Sequence, residues 1–148
     1  MDQKRIRGEA QVWNRVLQPA QEPAREELRP LLVAVLENAA VYGALEKKQS
    51  GWAAEQLRQL YRLAREDAAC IRGLHRLRFG TPVKEAVVPE PVQPGPRLLE
   101  GCFHRCRRAM TEFMSRSAEG EQGAVFRSLA DRAQEQCVLL TRLLGTME

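Results

Sequence analysis

The sequence predicts an all-α protein, a four-helix bundle built from two similar helical hairpins, and three observations support this class. The stretch Leu60–Phe79 returns in altered form as Phe126–Gly145, and both keep apolar residues at helical spacing. At a constant offset of 66 residues, the identical pairs are Leu63/Leu129, Ala64/Ala130, Leu74/Leu140, Arg76/Arg142 and Leu77/Leu143. Five prolines separate the two halves. A bundle made of two related hairpins would contain such a repeat.

The composition is that of one globular domain. Of the 148 residues, 44% are hydrophobic and 28% are charged, which is enough apolar material for a core without cross-links. The net charge of +4 arises from 23 basic residues interspersed with 19 acidic ones, so charge alone does not indicate a nucleic-acid partner. The sequence lacks both the run of about 18 apolar residues that predicts a transmembrane helix and the apolar core of a secretory signal.

The cysteines lie inside helical patterns, at Cys70, Cys102, Cys106 and Cys137. This distribution is typical of buried free thiols in a reducing compartment, so we expect a cytoplasmic protein. Cys102 and Cys106 are one helical turn apart, and on a helix His104 points about 200° away from Cys102. These three side chains therefore cannot share one metal ion.

An N-terminal arm is predicted for residues 1–23, ahead of a bundle domain at residues 24–148. Over residues 2–17, apolar side chains stand near helical spacing, at Ile6, Trp13, Val16 and Leu17. We expect a short helix or an extended arm whose Trp13 packs on the main body. A basic amphipathic arm that contacts a membrane or a partner is the alternative.

In the bundle domain, the apolar periodicity predicts helices over about residues 24–48, 52–78, 97–117 and 124–144. Pro23 suits a first helical turn, and Pro30 either kinks the first helix or marks its true beginning. From Leu31 to Leu45 only Glu37 and Asn38 are strongly polar. We therefore expect this helix to be mostly buried, and a carboxylate in its middle needs a partner, a proton or a metal.

Each of the other helices carries one apolar line. On the second helix the line contains an acid and reads Leu57, Leu60, Ala64, Asp67, Ile71 and Leu74. On the third helix it reads Leu99, Phe103, Cys106, Met110 and Phe113. On the fourth it reads Phe126, Leu129, Ala133, Gln136, Leu140 and Leu143, and Gly145 is a predicted C-cap.

A separate face of the second helix carries a stripe of basic residues, Arg58, Arg62, Arg65, Arg72 and Arg76. Glu55 and Glu66 stand close enough along the helix for ion pairs, which indicates a solvated surface. Nucleic-acid binding is the weaker interpretation of the stripe, because no aromatic side chains interleave with the arginines to stack on bases.

The proline-rich segment at residues 80–96 connects the two hairpins. Its prolines forbid a helix and favour an extended chain, and about 17 residues is long for a turn between antiparallel neighbours. We expect a crossover along the length of the bundle, because separate hairpins joined by a flexible linker would each expose an apolar face.

Two hairpins, each with a mid-helix acid followed by an acid-x-x-ligand position, resemble the ferritin-like superfamily, and rubrerythrin-type proteins most. The resemblance rests on Glu37, on Asp67 with Cys70, on Glu100, and on the segment Ala133–Gln136. It implies a ferritin-like four-helix bundle. In that family the first and third helices each give a Glu, and the second and fourth each give Glu-x-x-His, to hold two irons.

This chain departs from the family's ligand set. Asp67 stands at the second-helix acid, while Cys70 and Gln136 stand where the histidines would be, and Ala133 replaces the fourth-helix acid. Glu37 and Glu100 correspond to the remaining acids, although Glu100 lies at the margin of its helix face. With both histidines and one bridging acid absent, a full di-iron site is not predicted.

Three interpretations of the bundle centre remain open. Glu37 and Asp67 belong to a vestigial polar pocket, satisfied by Asn38, Tyr42, Gln136 or buried water. Alternatively, Glu37, Asp67, Cys70 and Glu100 hold a single metal, for which the thiolate favours zinc over iron. A small-molecule pocket in the emptied centre is the third possibility.

The predicted function is therefore that of a degenerate ferritin-like protein, a binding or interaction module with no catalytic and no cofactor-binding residues. The competing prediction is a metal-binding protein, with one zinc or iron ion or with residual rubrerythrin-like iron or peroxide chemistry. Self-association into a homo-oligomer is permitted by the apolar first helix. The sequence does not identify a protein partner.

Overall fold

The computed structural model describes the backbone of residues 22–118 and 120–147, with side chains from residue 28 onward. These residues contain no strand and form four α-helices, namely α1 (Glu22–Glu46), α2 (Gly51–Phe79), α3 (Arg97–Arg116) and α4 (Gly123–Thr146). A short 3-10 turn, Gly120–Gln122, precedes α4. The predicted all-α four-helix class is confirmed. Nearly all of the predicted N-terminal arm, with Trp13, lies outside the described residues.

The helix ends follow local chain chemistry in most places. Helix α1 continues through Pro30 instead of beginning there. Helix α2 ends at Gly80, whose left-handed backbone (φ 73°) lets its N–H bond to the Arg76 carbonyl. The predicted C-cap at Gly145 is wrong, because α4 runs to Thr146 and the N–H of Met147 bonds to the Leu143 carbonyl.

The four helices pack as a ring in which α1 contacts α2 and α3, and α4 contacts the same two helices. Neighbouring helices are antiparallel. On α1 and α3, the Arg105 side chain meets Asn38, while Arg116 lies in one groove with Pro30. At one end of the bundle, Arg78 of α2 and Arg116 of α3 both lie 5.8 Å from the ring centre of Phe126 on α4.

The core lies along the predicted apolar lines. Every residue of the α2 line and of the α4 line is buried, including the polar residues Asp67 and Gln136. On α3, Leu99, Cys106 and Phe113 are buried, whereas Phe103 and Met110 are partly buried against the core. The periodicity therefore located the inner faces of three helices.

Between α2 and α3 the chain is not helical. Val83 of this segment is buried in the hydrophobic core. Further along, Ala86, Val88 and Glu90 line a groove of about 670 Å³ together with residues of α1 and α2. Residues 83–90 of the segment therefore lie beside the first hairpin, with Val83 as the buried contact.

One stretch, Leu28–Glu46, has the length and mean hydropathy (1.3) at which a membrane span is conceivable, and half of it is buried inside the bundle. Core helices of bundles meet the same criterion. The stretch is therefore weak evidence for a membrane helix, and no clear transmembrane segment is present in the part of the chain that the structure describes.

Candidate functional site

A buried ion pair between α2 and α4 occupies the bundle centre. The Asp67 side chain, whose residue is 1% exposed, accepts a hydrogen bond of 2.6 Å from Nε of Arg132 at Oδ1. Its Oδ2 accepts a bond of 2.9 Å from Nε2 of Gln136. A second nitrogen of the same guanidinium, Nη2, donates to Sγ of Cys70 at 3.2 Å. Arg132 therefore bridges Asp67 and Cys70.

Burial and charge pairing act in opposite directions on this pair. Burial raises the pKa of the Asp67 carboxyl above its ordinary value, although the bonds from Arg132 and Gln136 oppose that rise. Burial also lowers the pKa of Arg132, but its bonds to Asp67 and Cys70 outweigh burial and raise it overall. Arg132 is thus a permanent cation beside the buried Asp67 carboxylate.

The raised pKa of Asp67 predicts how stability depends on pH. A carboxyl whose pKa is higher in the folded state contributes stability that is fully present below its unfolded pKa, near 3.8, and is lost as pH rises through the folded value. Wild type should therefore gain stability relative to Asp67→Asn as pH is lowered from about 7 towards 4. Urea unfolding of both proteins at several pH values measures the difference. If Asp67→Asn gained stability relative to wild type on acidification, the raised pKa of Asp67 would be contradicted.

The polar network continues from Gln136 to α1 and α3. The Tyr42 hydroxyl donates to Oε1 of Gln136 at 3.4 Å, and Sγ of Cys106 lies 3.7 Å from the same oxygen. Asn38 Nδ2 donates to Cys106 Sγ at 3.3 Å. Burial raises the pKa of Tyr42 well above its ordinary value, so its phenol stays neutral. All four helices therefore contribute to one connected hydrogen-bond network.

A second arginine, Arg105 of α3, joins the network at Asn38 of α1. Its Nε donates to Oδ1 of Asn38 at 2.7 Å, and Nη2 donates to Sγ of Cys102 at 3.6 Å. Nη1 lies 3.7 Å from Glu37 Oε2, and the Glu37 side chain is 42% exposed. Glu37 therefore lies at the edge of the bundle, not in its centre. Burial raises the pKa of the Cys102 thiol to about 11.

The four predicted metal ligands are not equivalent in this structure. Asp67 and Cys70 come together on Arg132, Glu37 is bound by Arg105 at the edge, and Glu100 is exposed in the first turn of α3. Among the described residues, no three His, Cys, Asp or Glu side chains are grouped closely enough to hold a metal ion. In this arrangement the four side chains do not fit a metal ion. Metal binding at Asp67 and Cys70 remains a prediction, and it would require Arg132 to move away from both of them.

The predicted polar pocket is correct in one respect and incomplete in another. Gln136 does satisfy Asp67, as expected. The two arginines that neutralise the acids were not predicted, because the acid-x-x-ligand spacing begins at Ala133 and does not include Arg132. A carboxylate on an apolar line needs a nearby cation. That requirement indicates arginines at positions next to the apolar lines, and Arg132 is one of them.

Two further polar residues make structural contacts outside this network. Arg58 of the arginine stripe pairs with Glu46 of α1 at 2.9 Å and not with Glu55. His75, which is buried on α2, is hydrogen-bonded through Nδ1 to the Thr81 carbonyl at 2.8 Å. Both contacts are structural.

Comparison of the chain with protein-family models, with curated proteins and with solved structures gave no match.

Proposed function

We propose that this chain is a ferritin-like bundle that works without a metal centre, as a binding or interaction module. Its helix arrangement supports the ferritin-like part of the proposal. The C-terminal ends of α2 and α3 meet at Phe126, so these two helices run in the same direction. A connection between parallel helices must return along the bundle, as the long connection of ferritin-like folds does.

The observation that carries the metal-free part is the position of the Arg132 guanidinium. It contacts Asp67 and Cys70, the pair that corresponds to the acid and ligand of the second helix in the resemblance. An arginine there neutralises the buried carboxylate and uses the thiol as an acceptor. The protein thus supplies its own cation where a metal would lie.

The outer surface supports the binding part. The polar side chains at the centre are occupied by one another, whereas the groove beside residues 80–96 is open and has apolar and charged walls. Its cations are Lys47, Arg65 and Arg72, and its acids are Glu46 and Glu90. Arg58 already neutralises Glu46. The groove therefore has an excess of positive charge, suited to an acidic partner.

Metal content distinguishes the proposal from the competing metalloprotein. Protein purified without chelator should contain far less than one zinc or iron per chain and should remain folded after dialysis against EDTA, because Arg132 holds the site together without metal. Elemental analysis and circular dichroism measure these two properties. Added zinc should leave the unfolding midpoint unchanged.

The matched variant is the double substitution Glu37→Ala, Asp67→Ala. If wild type binds one metal per chain and this variant binds none, the chain is a metalloprotein and the proposal is wrong. A metal bound equally by both proteins would lie elsewhere and would leave the assignment of the central site intact.

A further inference from the structure

The open groove on the outer side of the first hairpin lies between α1, α2 and the chain at residues 86–90. On α1 it is lined by small residues, Ala40, Gly43 and Ala44. Three basic residues also line it, and these groove cations are Lys47, Arg65 and Arg72. We infer, on the basis of the binding function proposed above, that the groove binds an acidic amphipathic helix of a protein partner.

The groove cations are available to such a partner. Glu46, one of the two acids in the groove, is bound by Arg58 at 2.9 Å. No carboxylate of the described residues lies within ion-pair distance of any of the three groove cations, and all three are exposed. Three cations therefore stand against one remaining acid, Glu90. This imbalance favours an acidic binding surface.

The groove cations are spread along the hairpin and do not surround a single point. Helices α1 and α2 are antiparallel, because Glu46 meets Arg58 near one end of the groove and Leu32 lies beside Arg72 near the other. Residues 58 and 72 are about 21 Å apart along α2. A small ligand with one acidic group would reach one cation. A rod-shaped partner with acids along one side would reach all three.

The spacing of the cations on α2 matches the repeat of a helix. Arg65 and Arg72 are seven residues apart, which is two helical turns and about 10.5 Å. A partner helix alongside α2 repeats its side chains over the same distance, so acids at i and i+7 can reach both arginines. An extended peptide would instead pair its backbone with residues 86–90, where no strand is formed and Pro89 lacks an N–H donor.

The apolar part of the groove suits the apolar face of the same helix. Because Ala40 and Gly43 have no large side chains, a partner helix can approach α1 to about the 8–10 Å at which helices pack. Tyr61 of α2 stands beside them: a Cβ on Gly43 would lie 3.5 Å from the Tyr61 ring, and Tyr61 is 38% exposed. Tyrosine and arginine are among the residue types that contribute most binding energy at protein interfaces.

Fluorescence anisotropy with a defined peptide tests the inference. The probe is a fluorescein-labelled helical peptide of about 18 residues, whose Glu and Leu residues recur at i, i+3, i+4 and i+7 on one face. The comparison peptide has the same composition, but its Glu residues are distributed around the helix. At low salt the full chain should bind the probe with a Kd in the micromolar range, and the comparison peptide at least about fivefold more weakly.

Two double variants locate the binding surface. The substitutions Arg65→Glu and Arg72→Glu reverse two groove cations and should weaken binding of the probe at least about tenfold. The substitutions Arg127→Glu and Arg142→Glu change the net charge equally at exposed positions of α4, and binding should stay within about twofold of wild type. Circular dichroism verifies that both double variants remain helical.

Four results would overturn the inference. Wild type that does not bind the probe at low salt, or that binds both peptides equally, would exclude an acidic helix whether or not the variants fold. Tighter binding of a single-stranded oligothymidylate of about 20 nucleotides would assign the groove cations to nucleic acid. An equal loss in the two double variants would show a nonspecific effect of charge.

Failure of the inference is distinguishable from failure of the proposed function. If the probe bound wild type and both double variants equally well, the protein would bind through another surface. The groove would then be the wrong site, while the proposed binding function would stand. Metal content tests the metal-free part of the proposed function, and it does not depend on which peptide binds.

Discussion

Replacing Arg132 by methionine is expected to destabilise the folded protein by about 3 kcal/mol, the lower end of the range for breaking one partner of a buried pair. The Asp67 carboxylate would remain in the core with Gln136 as its one remaining described hydrogen-bond donor. The lower end applies because the Arg132 side chain is 23% exposed, so water reaches part of the pair. Urea unfolding at pH 7 measures the change as a shift in midpoint at constant slope.

Two further variants separate the ion pair from the loss of a long side chain. Arg127→Met, at an exposed position on the same helix, should change stability by less than about 0.5 kcal/mol. Adding Asp67→Asn to Arg132→Met should recover much of the loss, because the buried group is then neutral. If Arg132→Met costs no more than Arg127→Met, Arg132 is not the cation that neutralises Asp67, and the metal-free proposal loses its main support.

The sequence was sufficient to predict the helices and their buried faces, because burial of one face requires apolar residues at helical spacing. The line from Leu57 to Leu74 predicted the inner face of α2, and the line from Phe126 to Leu143 predicted that of α4. The ends of the helices were predicted less accurately. Gly145 is a favourable C-cap residue, but the chain continues in helical hydrogen bonds to Met147, and local preference alone could not predict this.

The centre of the bundle was predictable only in part. Asp67 and Gln136 stand on apolar lines, so their burial followed from spacing. The exposed position of Glu37 could not be predicted, because α1 is apolar on almost every side and its sequence does not indicate which side faces the neighbouring helices. The contacts of Arg105 and Arg132 depend on how far two long side chains reach across helix interfaces. Such contacts are set by how two helices pack against each other, and a single sequence contains no period that predicts them.

Shortening the connection between α2 and α3 to about five residues is expected to abolish the native monomer. Helix α3 has 20 residues, which is about 30 Å of helix, while five extended residues span at most about 18 Å. Since α2 and α3 end at the same end of the bundle, the shortened chain cannot reach the start of α3. We expect loss of the cooperative unfolding transition or a domain-swapped dimer, measured by urea unfolding and light scattering.

The matched control keeps the length of the connection and changes its stiffness. Replacing Pro89, Pro91 and Pro94 by serine, with Val83 retained for its buried contact, should leave a folded monomer that is less stable by about 0.4–1 kcal/mol per substitution. If this variant folds and the shortened chain does not, the length of the connection is the cause of the failure, and its proline content is not. If the shortened chain instead gave a stable monomer with full helicity, α2 and α3 would have to be antiparallel. That outcome would contradict their shared contact with Phe126, and the ferritin-like arrangement with it.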